Sequence, residues 1–445
     1  MAENDTCMHM NQQPHTSHKL VGIVGGGFGG LLTFIVLRWR GVLARDIVVF
    51  SPEGSPESSW VRFAHAIKQQ DMRSESTGHF FPTDSPGLAT IAALRGWSLK
   101  PIVLSWFDQY RPAVEVILKQ ARQLALQTGF WTTLKACRIE RITKHGNEFY
   151  IYDQDGELCG IVQHLVIAVG HGRRAIPAPV QKFWDKHPGD TRVVHAFDEK
   201  EYLPGATTLV IGDGLTAATE WSNVFERDSR VIGVSRLGFS FGQALNTPRR
   251  YFSKRGFGPY RELTPEQRLK TLRSATRGTI PNYSRWYRLF QDKQNTGDLK
   301  LLTGDVTSID PSGDGRLHVS IRLPDGHGVL TVIVDQVIAA TGFLPTITNP
   351  LLKSLCDEHN LSTFENVLEV DNRFRIPKLS NNESGAFVVG QAAAWVLPSA
   401  DSLVGMRIAA RAITDQIVGG DSWHVHELRF KTQRWAQLVT GYPIS

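Results

Sequence analysis

The sequence has few cysteines, and their spacing follows none of the common patterns. Only Cys7, Cys137, Cys159 and Cys356 occur among 445 residues, and no CxxC or Cys/His spacing typical of a zinc site links them. We therefore expect no metal site, reduced thiols and a cytoplasmic location. A reductase that works through two neighbouring cysteines beside its cofactor is also disfavoured, because the sequence places no two cysteines close together.

The chain also lacks an apolar run as long as a membrane span, since "LLTFIVLRWR" is interrupted by Arg38. The first 19 residues are polar, start acidic and contain no apolar signal-peptide segment, so we interpret residues 1–19 as a flexible tail. With 41% hydrophobic and 21% charged residues, the composition is that of a globular protein of two or three domains. We expect no membrane partner.

Positive charge is in excess, with a formal net charge of +6 and a pI of about 9.1. Most of the excess lies in "TPRRYFSKRGFGPYRELTPEQRLKTLRSATRG", residues 247–278. Such a run also suits a nucleic-acid surface, but a charge run is more often a solvated helix face. We therefore expect no nucleic-acid partner.

Two glycine-rich turns, "VGIVGGGFGG" and "TTLVIGDGLTAATEW", each follow an apolar strand and precede a potential helix. Small residues stand in GxGxxG or GxGxxA spacing at Gly25, Gly27 and Gly30 and again at Gly212, Gly214 and Ala217. The first glycine makes a tight turn, the second lets the backbone approach a pyrophosphate, and the third permits close helix packing. Two such turns predict two bound dinucleotides, a flavin and a nicotinamide that exchange electrons.

The fold class that follows is α/β, with two Rossmann-like dinucleotide-binding domains. A β-α-β opening is predicted from strand Leu20–Val24, a helix to about Trp39 and strand Asp46–Phe50. Two similar strands, at 164–177 and 335–345, return the chain between the domains, so that the NADP domain is inserted into a discontinuous FAD domain. We predict a tail at 1–19, an FAD-binding domain at 20–190 and 331–425, an NADPH-binding domain at 191–330 with a helical insertion at 240–295, and a C-terminal segment at 426–445.

Residues 55–110 show little periodicity and are predicted to form a long irregular connection, which is unusual unless it is functional. A helix is expected to follow at about Val114–Thr128.

The two strands that follow the glycine turns end differently. The first ends in "FSPEG", where Ser51 occupies the usual acid position and Glu53 is the nearest carboxylate for ribose hydroxyls. Ser-Pro-Glu-Gly is also a turn signal, so an exposed turn residue is the alternative for Glu53. The second strand ends in Ser235 and Arg236, and a guanidinium there suits the 2′-phosphate of NADPH. An exposed arginine at a strand end is the alternative.

The order of GxGxxG, GxGxxA and "ATGFLP" resembles the class B flavin monooxygenases, and within them the ornithine and lysine N-hydroxylases. Four further stretches are similar to that branch: "HAIKQQDMRS", "SRLGFSFGQALNTP", "RGTIPNYS" and "PSADSLVGMRIAARAI". The resemblance spans about residues 20–420. It implies that NADPH reduces FAD, that O2 then forms a C4a-(hydro)peroxyflavin, and that an amine takes the distal oxygen in a dry site.

The resemblance also implies roles for individual residues. It places Gln70 near the flavin ring and matches Asn246 and Asn282 to substrate-side residues, with Gln70 and Asn282 as the catalytic candidates. The remaining cofactor-binding candidates are Gly25, Gly27, Gly30, Glu53, Asp401, Ser402 and Leu403 for FAD, Gly212, Gly214, Thr216 and Arg236 for NADPH, and Gly342 of "ATGFLP". The alternative for Gln70, Asn246 and Asn282 is an ordinary residue of a polar or turn-prone segment.

The sequence departs from the family pattern at several points. The lysine that grips the amino-acid carboxylate has no clear match, and Arg73 is the nearest cation. Val396–Pro398 replaces a His-Gly pair, and only His195 and Tyr202 remain of a stretch before the second glycine turn. These departures leave the amine open. We expect a small amine-bearing metabolite of a biosynthetic pathway, held by Arg73 if it carries an acid group.

Two other functions remain open from the sequence. An NADPH-dependent flavin reductase that passes electrons to a quinone or protein acceptor would need the same glycine turns. A flavin-binding sensor without turnover is the third hypothesis, although it would not need Arg236 or the second turn. By analogy with N-hydroxylases, which are often oligomers, a homo-oligomer is an expectation.

Overall fold

The computed structural model describes residues 18–72, 76–84, 87–107, 109–241, 247–275, 280 and 285–419. Its strands are β1 (His18–Val24), β2 (Ile47–Phe50), β3 (Leu134–Lys135), β4 (Ile139–His145), β5 (Glu148–Asp153), β6 (Leu158–Ile167), β7 (Val193–His195), β8 (Thr207–Ile211), β9 (Arg230–Ser235), β10 (Leu299–Thr303), β11 (Asp305–Pro311), β12 (Leu317–Arg322), β13 (Val329–Val334), β14 (Gln336–Ala339), β15 (Thr363–Phe364), β16 (Val367–Leu368) and β17 (Ala386–Val388).

The α-helices of the same residues are α1 (Phe28–Trp39), α2 (Ser58–Ala66), α3 (Leu88–Gly96), α4 (Lys100–Trp106), α5 (Val114–Thr128), α6 (Ala178–Lys186), α7 (Leu215–Phe225), α8 (Lys254–Arg261), α9 (Pro265–Ala275), α10 (Arg285–Asn295), α11 (Pro350–His359) and α12 (Leu403–Val418). None of these helices is long and apolar enough to cross a membrane.

The first sheet has the order β3-β2-β1-β6-β5-β4, and β17 pairs in parallel with β6. β1 is parallel to both β2 and β6, whereas β4, β5 and β6 form antiparallel pairs. From Gly30 to Leu37 every residue of α1 is buried, because α1 packs between the sheet and α12. The predicted helix ends at about Trp39 and over Val114–Thr128 agree with α1 and α5.

The second sheet has the order β10-β9-β8-β14-β7, and all of its strands are parallel. Together, the two sheets confirm the predicted α/β fold with two Rossmann-like units. β14 pairs with β7 and β8, whereas the predicted boundary at residue 331 assigned this strand to the FAD domain. The reason is that the apolar strand 336–339 completes the second sheet before the chain returns to the first. The division into domains otherwise stays a prediction.

A smaller antiparallel sheet, β11-β12-β13, packs against the second unit, and β15 and β16 form a two-stranded ribbon. The basic segment 247–278 contributes α8 and α9. Two of its cations contact the first unit rather than bulk solvent alone: Arg261 donates to the Val396 carbonyl at 3.0 Å, and Arg268 lies over the Trp395 ring.

The expectation of an irregular connection over 55–110 is wrong, because α2, α3 and α4 lie in it. These helices are only seven to nine residues long, and the structure buries few of their side chains, none in α4. Helices this short fall below the window of about 11–18 residues in which a periodic pattern can be recognised.

Candidate functional site

The first glycine turn leaves open space at the start of α1. Gly25 has a φ of 107°, and a Cβ there would clash with the carbonyl oxygen of Ala168. A Cβ on Gly30 would clash with the Gly25 carbonyl oxygen. A Cβ on Gly27, by contrast, would meet nothing within 4 Å. The first and third glycines are thus required by the fold, while the second faces the free space that a pyrophosphate needs at a helix N-terminus.

The second glycine turn has the same construction at the start of α7. Gly212 has a φ of 140°, and a Cβ there would clash with the Ala340 carbonyl oxygen. Gly214 precedes the first residue of α7, and Ala217 is fully buried at the third small position. Because the turn is tight and the helix begins directly after it, these residues fit a second dinucleotide.

The residues that follow β2 carry one carboxylate. Ser51 is buried under the first turn, beside Gly26. Glu53 is partly exposed and pairs with Arg62 at 3.1 Å. The structure thus places Glu53 three residues beyond the strand end, near the first turn, and its contact with a ribose stays a prediction.

The residues that follow β9 present one cation. Arg236 is exposed directly after the strand. Ser235 donates its hydroxyl to the carboxylate of Asp213 at 2.9 Å, which ties the strand end to the second glycine turn. Sequence reasoning missed Asp213, although its place inside GxGxxA was a visible signal. The role of Arg236 toward a 2′-phosphate stays a prediction.

A cavity of about 800 Å³ lies between the two units. Five predicted site residues line it: Gln70, Thr216, Gly342, Asp401 and Ser402. Its wall does not include the predicted residues Gly25, Gly27, Gly30, Glu53, Gly212, Gly214, Arg236 and Leu403. Arg73, Asn246 and Asn282 lie outside the described residues. The cavity therefore joins the expected flavin side to the first turns of α7.

Gln70 is held in the cavity wall by backbone pairing. The Val114 amide donates to the Gln70 carbonyl at 2.9 Å, and the Met72 amide donates to Pro112. Asp71 pairs with Ala113 in an isolated bridge. The segment that carries Gln70 is therefore anchored to the start of α5.

The start of α12 forms another part of the wall. Ser402 caps this helix by accepting from the Gly405 amide at 3.0 Å, and Leu403 is buried behind it. Further along, the fully buried Arg407 donates to the carboxylate of Asp84 at 2.8 Å. These contacts fix the predicted Asp401–Leu403 segment against the loop that precedes α3.

An aromatic stack at the cavity was not predicted from the sequence. His171 stacks on Phe343 at 4.7 Å between ring centroids, with planes 9° apart, and Phe343 stacks on Phe197 at 5.2 Å. The Phe63 ring contacts the rings of both Phe197 and Phe343 at one side of the stack. All four rings line the cavity. The sequence contained one indication of this stack, because His171 and Phe343 each come just after the strand in one of the two similar stretches, 164–177 and 335–345.

His171 and Asp401 interact electrostatically across the cavity. Both residues line the cavity. Desolvation lowers the pKa of His171 and raises the pKa of Asp401, and in each case the charge of the other residue opposes the shift. A neutral imidazole in this position can accept a proton at neutral pH.

A buried polar cluster connects α2 to α7 beside the cavity. Lys200 and Glu220 pair at 3.1 Å with side chains 1% and 0% exposed. The Tyr202 hydroxyl donates to Glu220 at 2.9 Å, and Asn223 donates to the Ile67 carbonyl at 2.8 Å. Burial raises the pKa of Glu220 to about 7, although Lys200 opposes the shift. Of this cluster, only Tyr202 was singled out from the sequence. Lys and Glu are mostly exposed in proteins, so nothing in the sequence indicated that Lys200 and Glu220 are buried.

Two cysteines that are distant in sequence meet on the first sheet. The thiols of Cys137 and Cys159 lie within hydrogen-bonding reach, and burial raises the pKa of both. The sequence spacing of the cysteines did not reveal this pair. β6 carries Cys159 back beside the chain that leaves β3. Neither cysteine lines the cavity, so this pair is not placed for chemistry there. In the described residues, no group of His, Cys, Asp and Glu could hold a metal ion.

No family model and no curated protein matches the sequence. Solved structures do match the fold. The ornithine N-hydroxylase of Kutzneria sp. 744 has a TM-score of 0.69 at 16% identity, over 90% of this chain and 99% of that one. The ornithine hydroxylase of Pseudomonas aeruginosa has a TM-score of 0.67 at 17% identity, with the same coverage of each chain.

A third similar structure is the cadaverine monooxygenase of the desferrioxamine pathway from Erwinia amylovora. Its TM-score is 0.69 at 13% identity, over 91% of this chain and 95% of that one. At these identities the likeness shows a shared fold. The resemblance to class B flavin monooxygenases and their N-hydroxylating branch is thus confirmed at the level of the fold.

Proposed function

We propose that this protein is an FAD- and NADPH-dependent monooxygenase that N-hydroxylates a small amine-bearing metabolite with an oxygen atom carried as a C4a-(hydro)peroxyflavin. The observation that carries the proposal is the shared cavity. Gln70 and Ser402 line it from the first unit, and Thr216 lines it from the first turn of α7. A nicotinamide and a flavin held by the two glycine turns would meet in such a space.

The residues that would hold the cofactors follow from the two turns. In this proposal Gly25, Gly27, Gly30 and Glu53 hold the FAD nucleotide, while Gln70, Asp401, Ser402 and Leu403 lie along its ring. NADPH is held by Gly212, Gly214, Thr216 and Arg236, and Gly342 lies between the two cofactors. The open space at Gly27 and the starts of α1 and α7 support this assignment.

The protein's own side chains would prepare the amine. An ammonium ion has no lone pair, so it must lose a proton before its nitrogen can attack an electrophilic oxygen. His171 faces the cavity with a lowered pKa, and its neutral ring would accept that proton while Asp401 stabilises the resulting charge. The rings of Phe63, Phe197 and Phe343 would exclude water from the reacting atoms.

The substrate class rests on the similar structures. The names of two neighbours specify ornithine and the name of a third cadaverine, all of them primary amines. We propose an amine for this chain as well, with Arg73, Asn246 and Asn282 on the substrate side and Arg73 holding an acid group where one is present. A cytoplasmic location and a homo-oligomer remain part of this proposal.

Stopped-flow absorbance spectroscopy tests the proposal. The FAD-loaded protein is reduced without oxygen by NADPH and then mixed with O2, with and without candidate amines. We expect a long-lived oxygenated-flavin spectrum that a true substrate shortens, together with a hydroxylamine product. The His171→Gln variant should form the same spectrum but respond to the amine only at higher pH, because the amine must then deprotonate without help.

Direct return of the oxidised flavin spectrum, even with NADP present, would support the NADPH-dependent reductase instead. No structural observation favours that alternative over the hydroxylase. Failure of NADPH to reduce the protein would leave the sensor hypothesis.

A further inference from the structure

The outer face of α4 is apolar and exposed to solvent. Leu99 is 73% exposed, Val103 42%, Trp106 71% and Phe107 68%. These residues are spaced by three or four positions, so they share one face of the helix. A monomeric protein rarely exposes so many large apolar side chains together, and such a patch marks an interaction site.

The turn before α4 extends this apolar surface. Trp97 is 97% exposed and has a φ of 48°, a left-handed conformation that a bulky residue rarely adopts. Leu94, at 40% exposure, adjoins it at the end of α3. We call these residues the 94–107 surface: Leu94, Trp97, Leu99, Val103, Trp106 and Phe107.

Within residues 94–107 the charged residues are two cations, and Asp108 follows directly. From Leu88 to Phe107 the sequence contains Arg95 and Lys100 and no aspartate or glutamate. Tryptophan beside lysine and arginine is the combination found where proteins enter the interface of a membrane, and cations add attraction to anionic lipid headgroups. A second copy of this chain is the less suitable partner, because its like charges would face these cations.

The other face of α4 belongs to the cavity. Pro101 and Leu104 line the cavity wall, opposite the exposed face, and Lys100, which is itself exposed, lines it beside them. The seven-residue helix α4 thus has one face toward solvent and the other toward the cavity. A partner bound to the 94–107 surface would therefore lie directly outside the wall of the candidate site.

We propose that the 94–107 surface docks the protein peripherally on an anionic lipid surface, with Trp97 and Trp106 inserted at the headgroup level. This proposal revises the sequence expectation that no membrane partner exists. It does not rest on the proposed monooxygenase activity, because binding to lipid is measured without turnover.

Sedimentation of the full chain with lipid vesicles tests the proposal. Vesicles of phosphatidylcholine alone are compared with vesicles that also contain phosphatidylglycerol. We expect at least about tenfold tighter binding to the anionic vesicles, with a blue shift of tryptophan emission. The Trp97→Ser/Trp106→Ser variant should lose at least about tenfold of this binding, since two inserted rings are removed.

Leu126→Ser is the matched control, because Leu126 is 73% exposed on α5, away from the 94–107 surface. It should bind vesicles as the unaltered protein does, and circular dichroism should show that both variants are folded. Three results would overturn the proposal. They are equal binding to neutral and anionic vesicles or none to either, a self-association that the double tryptophan variant abolishes, and hydrogen-exchange protection of residues 94–107 in the free monomer.

Discussion

The two glycine turns are built alike, but the helices that follow them are not. The Gly25 amide donates to the Phe50 carbonyl at 2.8 Å, and the Gly212 amide donates to the Val234 carbonyl at 2.9 Å. Each bond joins the turn to the last or next-to-last residue of the neighbouring strand. The backbone of the glycine turn is therefore anchored in the same way twice.

The difference lies in what each helix buries. α1 is buried from Gly30 to Leu37, with Thr33 as its single polar side chain there. α7 is buried from Ala217 to Phe225 as well, but it includes Glu220 and Asn223. The comparison teaches that the two turns share one backbone construction, whereas the buried face of the helix decides how the unit attaches to its neighbour.

Breaking the ion pair of α7 should have the largest effect on stability. In Lys200→Met the Glu220 carboxylate stays buried without its cation, which costs about 3–5 kcal/mol of unfolding free energy. Denaturant unfolding at pH 8 measures the loss. The double variant Lys200→Met/Glu220→Gln should recover most of it, and a single variant as stable as the unaltered protein would refute the role of the pair.

The Lys200–Glu220 pair also predicts that the unfolding free energy depends on pH. The buried stretch of α1 cannot cause such a dependence, because it contains no titratable side chain. Because the pKa of Glu220 is raised from 4.5 to about 7, the folded protein binds more protons than the unfolded chain between these values. Stability from this group therefore falls as pH rises through that window and is constant above it. The stability difference between the unaltered protein and Glu220→Gln should shrink by up to about 3 kcal/mol from pH 4.5 to 7.

Unfolding curves at several pH values check this prediction. His195, whose pKa is lowered to about 4 by burial, contributes a slope of opposite sign, but it is present in both proteins and cancels in the difference. A difference that does not change with pH would contradict the assignment to Glu220.

Two alanine variants test the first glycine turn, because Gly25 is closely surrounded by backbone and Gly27 faces open space. Gly25→Ala should cost about 1–3 kcal/mol from its left-handed backbone, and more from the clash with Ala168, with loss of bound FAD. Gly27→Ala should cost less than about 1 kcal/mol, since its Cβ meets open space, yet it should weaken FAD binding. Flavin content and thermal unfolding separate the two effects. Equal destabilisation by both variants would show that the turn is not as described.

The residues that follow β9 and β2 also differ between the two units, with Arg236 after β9 and Glu53 after β2. Arg236→Gln should raise the KM for NADPH by about 10–100-fold, because a charged hydrogen bond of about 1.5–3 kcal/mol is lost, and leave the KM for NADH unchanged. Steady-state NADPH oxidation measures this. Arg230→Gln, at the opposite end of β9, is the matched control and should have no effect. An equal change for both coenzymes would remove Arg236 from the phosphate site.

The smallest effect is expected at the first strand end. Glu53→Gln breaks an ion pair with Arg62 that is partly exposed to water, so stability should change by less than about 1 kcal/mol. FAD dissociation should still increase a few-fold if Glu53 holds ribose hydroxyls. Flavin fluorescence on dilution measures this, and unchanged dissociation would assign Glu53 to the turn alone.

Local patterns made part of the fold predictable from the sequence. Strand, glycine turn and helix are adjacent in the chain, so α1 could be placed to its last residue. α5 could be placed as well, because an apolar stripe ends at Gly129, which has a φ of 79°. The helices of 58–106 could not, since each is only seven to nine residues long, which is too short to show a periodic pattern.

The site was predictable only where it follows a motif. Thr216 and Ser402 follow glycine-rich or helix-start patterns, and both line the cavity. The pairing of Lys200 with Glu220 and the stack of His171 on Phe343 depend on tertiary contacts between distant segments. Neither residue pair has a local signal, because burial of a charge and stacking of rings are decided by the assembled sheets.

The position of β17 has a consequence for synthesis on the ribosome. The second sheet is complete once Ala339 has emerged, whereas the first sheet starts at His18 and must wait for Ala386–Val388 to pair with β6. A chain made from its N-terminus therefore has all strands of its inserted unit before all strands of the surrounding unit, although the surrounding unit begins earlier. Nascent chains halted before residue 386 would carry an unfinished sheet edge and depend on chaperones to shield it.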